Sequence, residues 1–173
     1  TDVGVNKATR RLFPLANSPR KVLALGLPAL TEHIRTIGLF RNKAKNLYET
    51  CRLLVERHGG EVPHTREALE ALPGVGRKTA NVVLAQAFGV PAFPVDTHIH
   101  RLANRWGLSA GKTPDAVEED LVKLFPRESW NRVHLQIIYF GREFCPAQRH
   151  DLLSCPICSW AATKKRIRAE TGG

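Results

Sequence analysis

A chain of 173 residues can form one compact domain, or two small ones that share a core. It is 43% hydrophobic, which is enough for a packed core, but no apolar run approaches the roughly 20 residues that a membrane-spanning helix needs. Its 26 Lys and Arg residues outnumber its 16 Asp and Glu residues, and the net charge of +10 favours DNA, RNA or an anionic membrane as partner. Charge alone leaves open a basic protein without such a partner.

Helical patterns account for nearly the whole chain. It contains no Met and begins at Thr1 inside an amphipathic pattern, so we expect a fragment or a processed product of a longer protein. Apolar residues recur at helical spacing over residues 31–37, 42–58, 77–88, 113–124 and 128–140. Cys51 lies on the apolar face of the second of these helices, which indicates a small core residue rather than a ligand. Because no clear alternating strand pattern occurs, we predict an all-α fold.

A short apolar segment flanked by prolines, residues 90–94, is the best candidate for a crossing between two halves. We therefore predict a first domain over residues 1–91 and a second domain over residues 92–173. The second domain ends in a cysteine-rich loop and in a basic tail formed by Lys164, Lys165, Arg166 and Arg168.

Residues 67–79 have the pattern of a short helix, a tight turn and a second helix. The turn, Leu72-Pro73-Gly74-Val75-Gly76, contains two glycines that let the backbone turn tightly and approach an anion closely. The following helix adds the positive end of its dipole. The pattern predicts a site that binds phosphate through the backbone, although a lone Gly-x-Gly also occurs in ordinary turns at helix ends.

Two polar residues stand at the beginnings of helices after this turn. Lys78 opens the second helix on the side opposite its apolar face, and Asp96, in Val95-Asp96-Thr97-His98, begins the next helix. Taken alone, Lys78 is a phosphate-binding lysine and Asp96 an ordinary N-cap. Together, in these strings and at this spacing, they favour catalysis.

The strings over residues 72–80 and 95–98 resemble the signature of the endonuclease III family of helix-hairpin-helix DNA glycosylases and AP lyases. The similarity extends over essentially the whole chain but lacks the family's first helices. It implies a six-helix barrel-type domain that contains the helix-hairpin-helix over about residues 66–88, a second helical domain, and an active cleft between the two. It also implies that Lys78 is the nucleophile and Asp96 its catalytic carboxylate.

The resemblance implies a bifunctional enzyme of base excision repair. It removes oxidised pyrimidines and nicks the strand by β-elimination through a lysine Schiff base, a reaction that needs a neutral primary amine. One alternative is a monofunctional adenine-type glycosylase of the same fold, whose members lack a lysine at the position of Lys78. The other is a non-catalytic helix-hairpin-helix module, against which Asp96 argues. We expect double-stranded DNA with damaged or abasic nucleotides as partner, no membrane, a monomeric state and a cytoplasmic location.

Several residues match DNA-contacting positions of the family. Leu39 matches the wedge leucine that fills the gap left by a flipped nucleotide, although a loop leucine tucked into the core explains it equally well. Asp2 matches an acidic residue near the base pocket. The hairpin contacts are predicted at Leu72, Gly74, Val75, Gly76, Arg77 and Thr79.

Three cysteines near the C-terminus, Cys145, Cys155 and Cys158, predict a metal site. The resemblance implies a [4Fe–4S] cluster on four cysteines, but the fourth position falls near Lys164 and no cysteine follows Cys158. His150 lies between the first two, and three thiolates with one imidazole also form a tetrahedral zinc set. A cluster, a zinc ion and a metal-free loop therefore stay open.

Overall fold

The computed structural model describes the backbone of residues 2–171 and the side chains of residues 3–169. All regular secondary structure in that part of the chain is helical, which confirms the predicted all-α class. The chain forms two compact units that meet in sequence between Gly76 and Arg77. The predicted domains, 1–91 and 92–173, divide the chain at another position and stay a prediction. None of the helices described is long and apolar enough to cross a membrane.

The helices of the first unit are α1 (Asp2–Leu12), α2 (Pro19–Leu25), α3 (Leu27–His33), α4 (Phe40–His58) and α5 (Arg66–Glu70). Hydroxyl caps begin two of them: Ser18 accepts a hydrogen bond from the first turn of α2, and Thr65 does so for α5. The long helix α4 is the centre of the unit, since both α2 and α3 pack against it.

The helix predicted over residues 31–37 is wrong, because α3 covers Leu27–His33. Pro28 lies in the first turn, where the missing N–H costs nothing. The apolar pattern misleads beyond His33, since Ile34 is buried in the core as a C-cap rather than within the helix.

The helix predicted over residues 42–58 is confirmed as α4, which begins two residues earlier. Its end is set by Gly59, whose φ of +65° is a left-handed conformation that glycine adopts without strain. Cys51 lies in the core of the first unit as predicted, and burial raises the pKa of its thiol.

The helices of the second unit are α6 (Arg77–Phe88), α7 (Thr97–Trp106), α8 (Pro114–Leu124), α9 (Trp130–Glu143), α10 (Cys158–Ala161) and α11 (Lys164–Thr171). The predicted helix over residues 77–88 is confirmed at both ends. Thr113 caps α8, since its hydroxyl accepts the N–H of Ala116 at 3.2 Å, as its Thr-Pro start predicts. The helix predicted over residues 128–140 is α9, which follows a 3₁₀ turn, begins two residues later than predicted and ends three residues later.

Helix α7 is the centre of the second unit and packs against α8, α9 and α10. Ile99, Leu102 and Ala103 on this helix are fully buried, and Phe93 and Val95 from the preceding segment join the same core. Cys145, Cys155 and Cys158 belong to that core as well. The start of α7, where Asp96 stands, is therefore fixed by the same packing that gathers the cysteines.

The buried face of α6 includes a polar residue. Ala80, Asn81, Leu84 and Ala85 are buried, whereas Ala87 is exposed. Asn81 donates a hydrogen bond from Nδ2 to Oε1 of Glu118 at 3.0 Å, so a polar side chain is satisfied inside. A pattern of apolar residues does not reveal such a pair.

Candidate active site

Lys78 stands in the first turn of α6 and its side chain is exposed. It lies away from the buried Ala80 and Leu84, as the sequence pattern predicts. The amide groups in the first turn of a helix lack intrahelical partners and carry the positive end of the helix dipole. These amides can bind an anionic group such as a phosphate.

Asp96 is the N-cap of α7, and its Oδ1 accepts the N–H of Ile99 at 2.9 Å. The cap uses one carboxylate oxygen and leaves Oδ2 able to accept another hydrogen bond or a proton. The carboxylate is held from both sides, because Val95 before it and Ile99 after it are buried in the core. The capping role that the sequence suggests is therefore present, and it is compatible with a second role.

Lys78 and Asp96 line one pocket of about 530 Å³ within the second unit. The complete lining is Lys78, Val95, Asp96, Thr97, His100, Lys112 and Pro114. The pocket thus combines a single carboxylate with two amines and an imidazole, a balance that suits an anionic ligand with a reacting centre near the carboxylate. The chain segment between α7 and α8 contributes Lys112, which no motif in the sequence marks.

A polar network fixes the start of α6 against α8. Arg77 donates from Nε and Nη2 to the carboxylate of Glu118 at 3.0 and 3.3 Å, and Asp115 lies 3.7 Å from Nε. The hydrogen bonds to Glu118 raise the pKa of Arg77. Because the guanidinium is engaged in this way, what Arg77 can offer to a phosphate is its backbone N–H rather than its side chain. A contact between the backbone N–H of Arg77 and a DNA phosphate stays a prediction.

His134 on α9 is a packed core histidine. It is 2% exposed, and its ring meets the edge of Phe93 with centroids 6.3 Å apart. Burial lowers the pKa of its imidazole, and hydrogen bonds with the backbone of Trp130 and Asn131 offset part of this effect. The charges of Asp96 and Lys78 have smaller, opposite effects on that pKa.

The turn between α5 and α6 is anchored on α4. Leu72 is buried, and the hydroxyl of Thr50 donates to the carbonyl of Pro73 at 3.2 Å. Gly74 has a φ of +76°, and a Cβ at this position would meet Nδ2 of Asn46 at 2.7 Å. Gly76 has no left-handed conformation and no neighbouring atom within 4 Å of a built Cβ. The two glycines thus differ. The fold requires a glycine at position 74, whereas at position 76 the backbone is accessible to a ligand.

We expect Gly76→Ala to weaken binding to damaged and undamaged duplexes alike, by roughly tenfold, the value of one hydrogen bond to a charged group. The reason is that a methyl group obstructs phosphate approach without disturbing the fold. Fluorescence anisotropy with both duplexes measures the effect, and binding should weaken steeply with salt. Gly74→Ala is the contrast, since strain and the clash with Asn46 should lower stability by about 1–3 kcal/mol. A Gly76→Ala protein that changed only lesion preference would assign this turn to base recognition.

Leu39 is exposed, with 78% of its surface accessible, so the interpretation as a leucine tucked into the core is wrong. It is the N-cap of α4, with φ 59° and ψ 30°, a left-handed conformation that is uncommon for leucine. The apolar side chain of Leu39 is thus exposed to solvent at the N-terminus of α4, on a backbone conformation that leucine rarely adopts. This arrangement suits a wedge, although that role stays a prediction. The side chain of Asp2, matched to the family's base pocket, lies outside the described residues.

We expect Leu39→Ala to slow base release from a duplex lesion by roughly tenfold or more, since a flipped nucleotide costs a few kcal/mol of stacking that the wedge offsets. Nicking of a single-stranded abasic site should change little, because no stack has to be opened there. The melting temperature should also stay constant, as expected for an exposed residue. Single-turnover kinetics on the two substrates provide the comparison, and equal losses on both would contradict the wedge.

Cys145, His150, Cys155 and Cys158 converge in the second unit, where one ligand atom from each lies within 4.8 Å of the others. A [4Fe–4S] cluster is held by four thiolates, one on each iron. This group offers three, and Cys51, the remaining cysteine of the chain, is packed in the core of the first unit. The residues present therefore do not fit the cluster that the family resemblance implies.

Comparisons with known proteins agree with the motif and the fold. The model of the HhH-GPD superfamily of base excision DNA repair proteins matches residues 1–127. Endonuclease III of Haemophilus influenzae is 53% identical over 96% of this chain and 79% of its own length. Two solved structures, a non-covalent endonuclease III–DNA complex and a trapped endonuclease III–DNA covalent intermediate, each match 98% of this chain and 79% of theirs, with a TM-score of 0.91 and 44% identity. The predicted fold is confirmed, and the chain belongs to the HhH-GPD superfamily and, within it, to the endonuclease III family, the bifunctional DNA glycosylases and AP lyases of base excision repair.

Proposed function

We propose that Lys78 is the nucleophile and Asp96 the catalytic carboxylate with which this enzyme excises oxidised pyrimidines and nicks the strand. The observation that carries the proposal is the pocket of about 530 Å³ that both residues line. The solved covalent intermediate of an endonuclease III, whose fold this chain shares, supports a covalent route. Lys78 is exposed at a helix start, where an incoming sugar can reach its amine.

The chemistry proceeds through an imine. The neutral amine of Lys78 attacks C1′ of the damaged nucleotide while the C1′–N bond breaks, and the base leaves with the bonding electron pair and takes up a proton. Opening of the sugar gives a protonated imine between Nζ and C1′. The imine acidifies the hydrogen on C2′, whose loss expels the 3′ phosphate by β-elimination. Hydrolysis of the product imine returns the free amine.

Asp96 has two tasks in this sequence. Its Oδ1 keeps capping α7, which fixes the carboxylate at the pocket wall. Oδ2 accepts a proton from the ammonium nitrogen that forms when the neutral amine adds to C1′, and stabilises the positive charge that develops on the sugar. Because the carboxylate is positioned by the core rather than by a flexible loop, little reorganisation is needed during the reaction.

DNA binding uses features outside the pocket. The turn from Leu72 to Gly76, with the first amides of α6, binds the phosphate backbone without reading sequence. Arg77 and Thr79 contribute through their N–H groups, whereas Val75, whose N–H already donates to the carbonyl of Leu72 at 3.1 Å, contributes as part of the turn. Leu39 fills the gap left by the flipped nucleotide. The net charge of +10 strengthens association with DNA in a salt-dependent way. The bound species is a duplex with a damaged or abasic nucleotide, and we expect the enzyme to act as a cytoplasmic monomer without a membrane partner.

Two duplexes test the function together. One carries a single ring-saturated pyrimidine and the other an adenine opposite an oxidised guanine. We expect release of the damaged pyrimidine, measured by chromatography, at the same rate as strand nicking, measured on a denaturing gel, with neither product from the second duplex. Release of adenine without nicking would instead identify a monofunctional adenine glycosylase. Binding without any product would identify a non-catalytic module.

A further inference from the structure

The cysteine-rich segment builds a compact group of four side chains in the second unit. Cys145 follows α9, Cys158 begins α10, and His150 and Cys155 lie on the segment between these helices. The three cysteines are buried and His150 is half-buried. A stretch of only fourteen residues therefore brings four potential metal ligands close together.

The spacing of the sulfur atoms suits ligands of a single ion. Sγ of Cys145 lies 3.6 Å from Sγ of Cys158, and the N–H of Cys158 points at Sγ of Cys155 at 3.5 Å. Bonds of about 2.3 Å from zinc to sulfur, directed to the corners of a tetrahedron, place two sulfur atoms about 3.8 Å apart. In a cubane the thiolates bind different iron atoms and are held further apart. The observed spacing thus favours a mononuclear site.

A buried charge supports an anionic group at this position. Arg105 on α7 is 7% exposed, and its Nη1 lies 3.0 Å from Sγ of Cys145 and 2.7 Å from the carbonyl of Pro146. Among the ion pairs of the described residues, none joins Arg105 to a carboxylate. Buried charges are normally paired. An anionic group at Sγ of Cys145 would pair with this guanidinium.

We propose that Cys145, His150, Cys155 and Cys158 bind one Zn²⁺ ion in a closed tetrahedral site, in place of the iron–sulfur cluster that the family resemblance implies. Three thiolates and a neutral imidazole around a divalent ion leave one net negative charge, which Arg105 neutralises. Soft thiolates with one imidazole in tetrahedral geometry select zinc over harder cations. With four protein ligands the ion has no open position, so the site is structural and separate from the Lys78 pocket.

One contact has to give way when the ion binds. Nη2 of Arg166 lies 3.4 Å from Nδ1 of His150. Coordination through Nε2 leaves the hydrogen on Nδ1, and two donors then face each other. We expect the guanidinium of Arg166 to turn away, which places the positive charge of the basic helix α11 nearer to solvent.

Metal analysis of the full chain tests the proposal without reference to catalysis. The protein is produced in medium that contains both iron and zinc, purified without oxygen, and assayed for zinc, iron and acid-labile sulfide. We expect one zinc per chain, no sulfide and no visible absorption, and we expect Co²⁺ to replace the zinc with the intense visible bands of a tetrahedral thiolate site. A brown protein with iron and sulfide, or a protein free of metal, would overturn the proposal.

Variants of His150 identify the fourth ligand. His150→Ala should weaken zinc binding by roughly 100-fold or more in competition with a chromophoric chelator, because loss of a direct ligand exceeds the effect of its outer partners. His150→Cys should retain one zinc, since it restores four ligands. His58→Ala, at the end of α4, is the matched control and should bind zinc as the parent chain does. Equal zinc affinity of the parent chain and His150→Ala would remove His150 from the site. Lys78→Gln should keep its zinc, which separates this proposal from that for the nucleophile.

Discussion

Lys78→Gln should abolish strand nicking and the borohydride-trapped complex, with a loss of roughly 10⁴-fold or more, the scale seen when an enzyme loses its nucleophile. Glutamine keeps a polar side chain, one atom shorter than lysine, but has no amine, so no imine can form. The side chain is exposed, and its replacement should leave the melting temperature unchanged. Rapid-quench kinetics on an abasic duplex measure the loss, and anisotropy shows that DNA is still bound.

Lys112 provides the matched control for this experiment. It lines the same pocket as Lys78 and is exposed as well, so Lys112→Gln removes an equivalent charge. We expect this variant to bind DNA more weakly but still to form the covalent complex. If Lys112→Gln lost the covalent complex while Lys78→Gln kept it, the assignment of the nucleophile would have to be exchanged between the two lysines.

Asp96→Asn should slow base release by roughly 10²-fold or more, which is the usual contribution of a general acid–base group. Asparagine is neutral and cannot take up the proton or balance the charge on the sugar. It caps helices about as well as aspartate does, so α7 should keep its start and the protein its stability. Single-turnover glycosylase rates together with thermal unfolding separate the chemical effect from the structural one.

A second pair of variants isolates the cap at Asp96. Asp96→Ala removes both the cap and the carboxylate, and should add a loss of stability of about 0.5–2 kcal/mol to the kinetic loss. Ser18→Ala removes a comparable cap at the start of α2 in the first unit, and should lower stability without slowing base release. Were Asp96→Asn to unfold at a lower temperature while its base release stayed at the rate of the parent enzyme, Asp96 would be a cap and no more.

Much of the fold follows from local signals along the chain. The helix over residues 77–88 is bounded by a glycine at each end, and Thr113 with Pro114 marks the start of α8. Asp96 is recognised as a helix start for the same reason, because a capping side chain acts on the residues next to it. The predicted helix over residues 31–37 is wrong because burial continues beyond the end of α3. Ile34 follows the helix and is buried in the core, so its apolar side chain does not indicate a helical residue.

Other features depend on contacts between distant residues, which the sequence does not encode locally. Glu118 is buried because Arg77 and Asn81, 41 and 37 positions earlier, bind its carboxylate. Lys112 reaches the pocket only because α8 packs beside α7. The exposure of Leu39 is decided by the backbone conformation at one residue. Each of these is settled by tertiary packing rather than by propensity.

The cysteine-rich segment lies between these two cases. The spacing of Cys145, Cys155 and Cys158 predicts a metal site, but spacing alone leaves a cluster, zinc and a metal-free loop equally open. The approach of His150 to the thiols and the buried Arg105 beside Cys145 are three-dimensional observations. They favour one of the three alternatives, which composition could not do.

Reduction with borohydride on a duplex that contains one abasic site tests the Schiff base at Lys78 most directly. The trapped complex is digested with trypsin and nuclease, and mass spectrometry locates the sugar remnant on the protein. We predict a single adduct on Nζ of Lys78, formed at the rate of strand nicking. An adduct on Lys112 or on another amine, or nicking at the full rate with no trapped complex, would contradict Lys78 as the nucleophile.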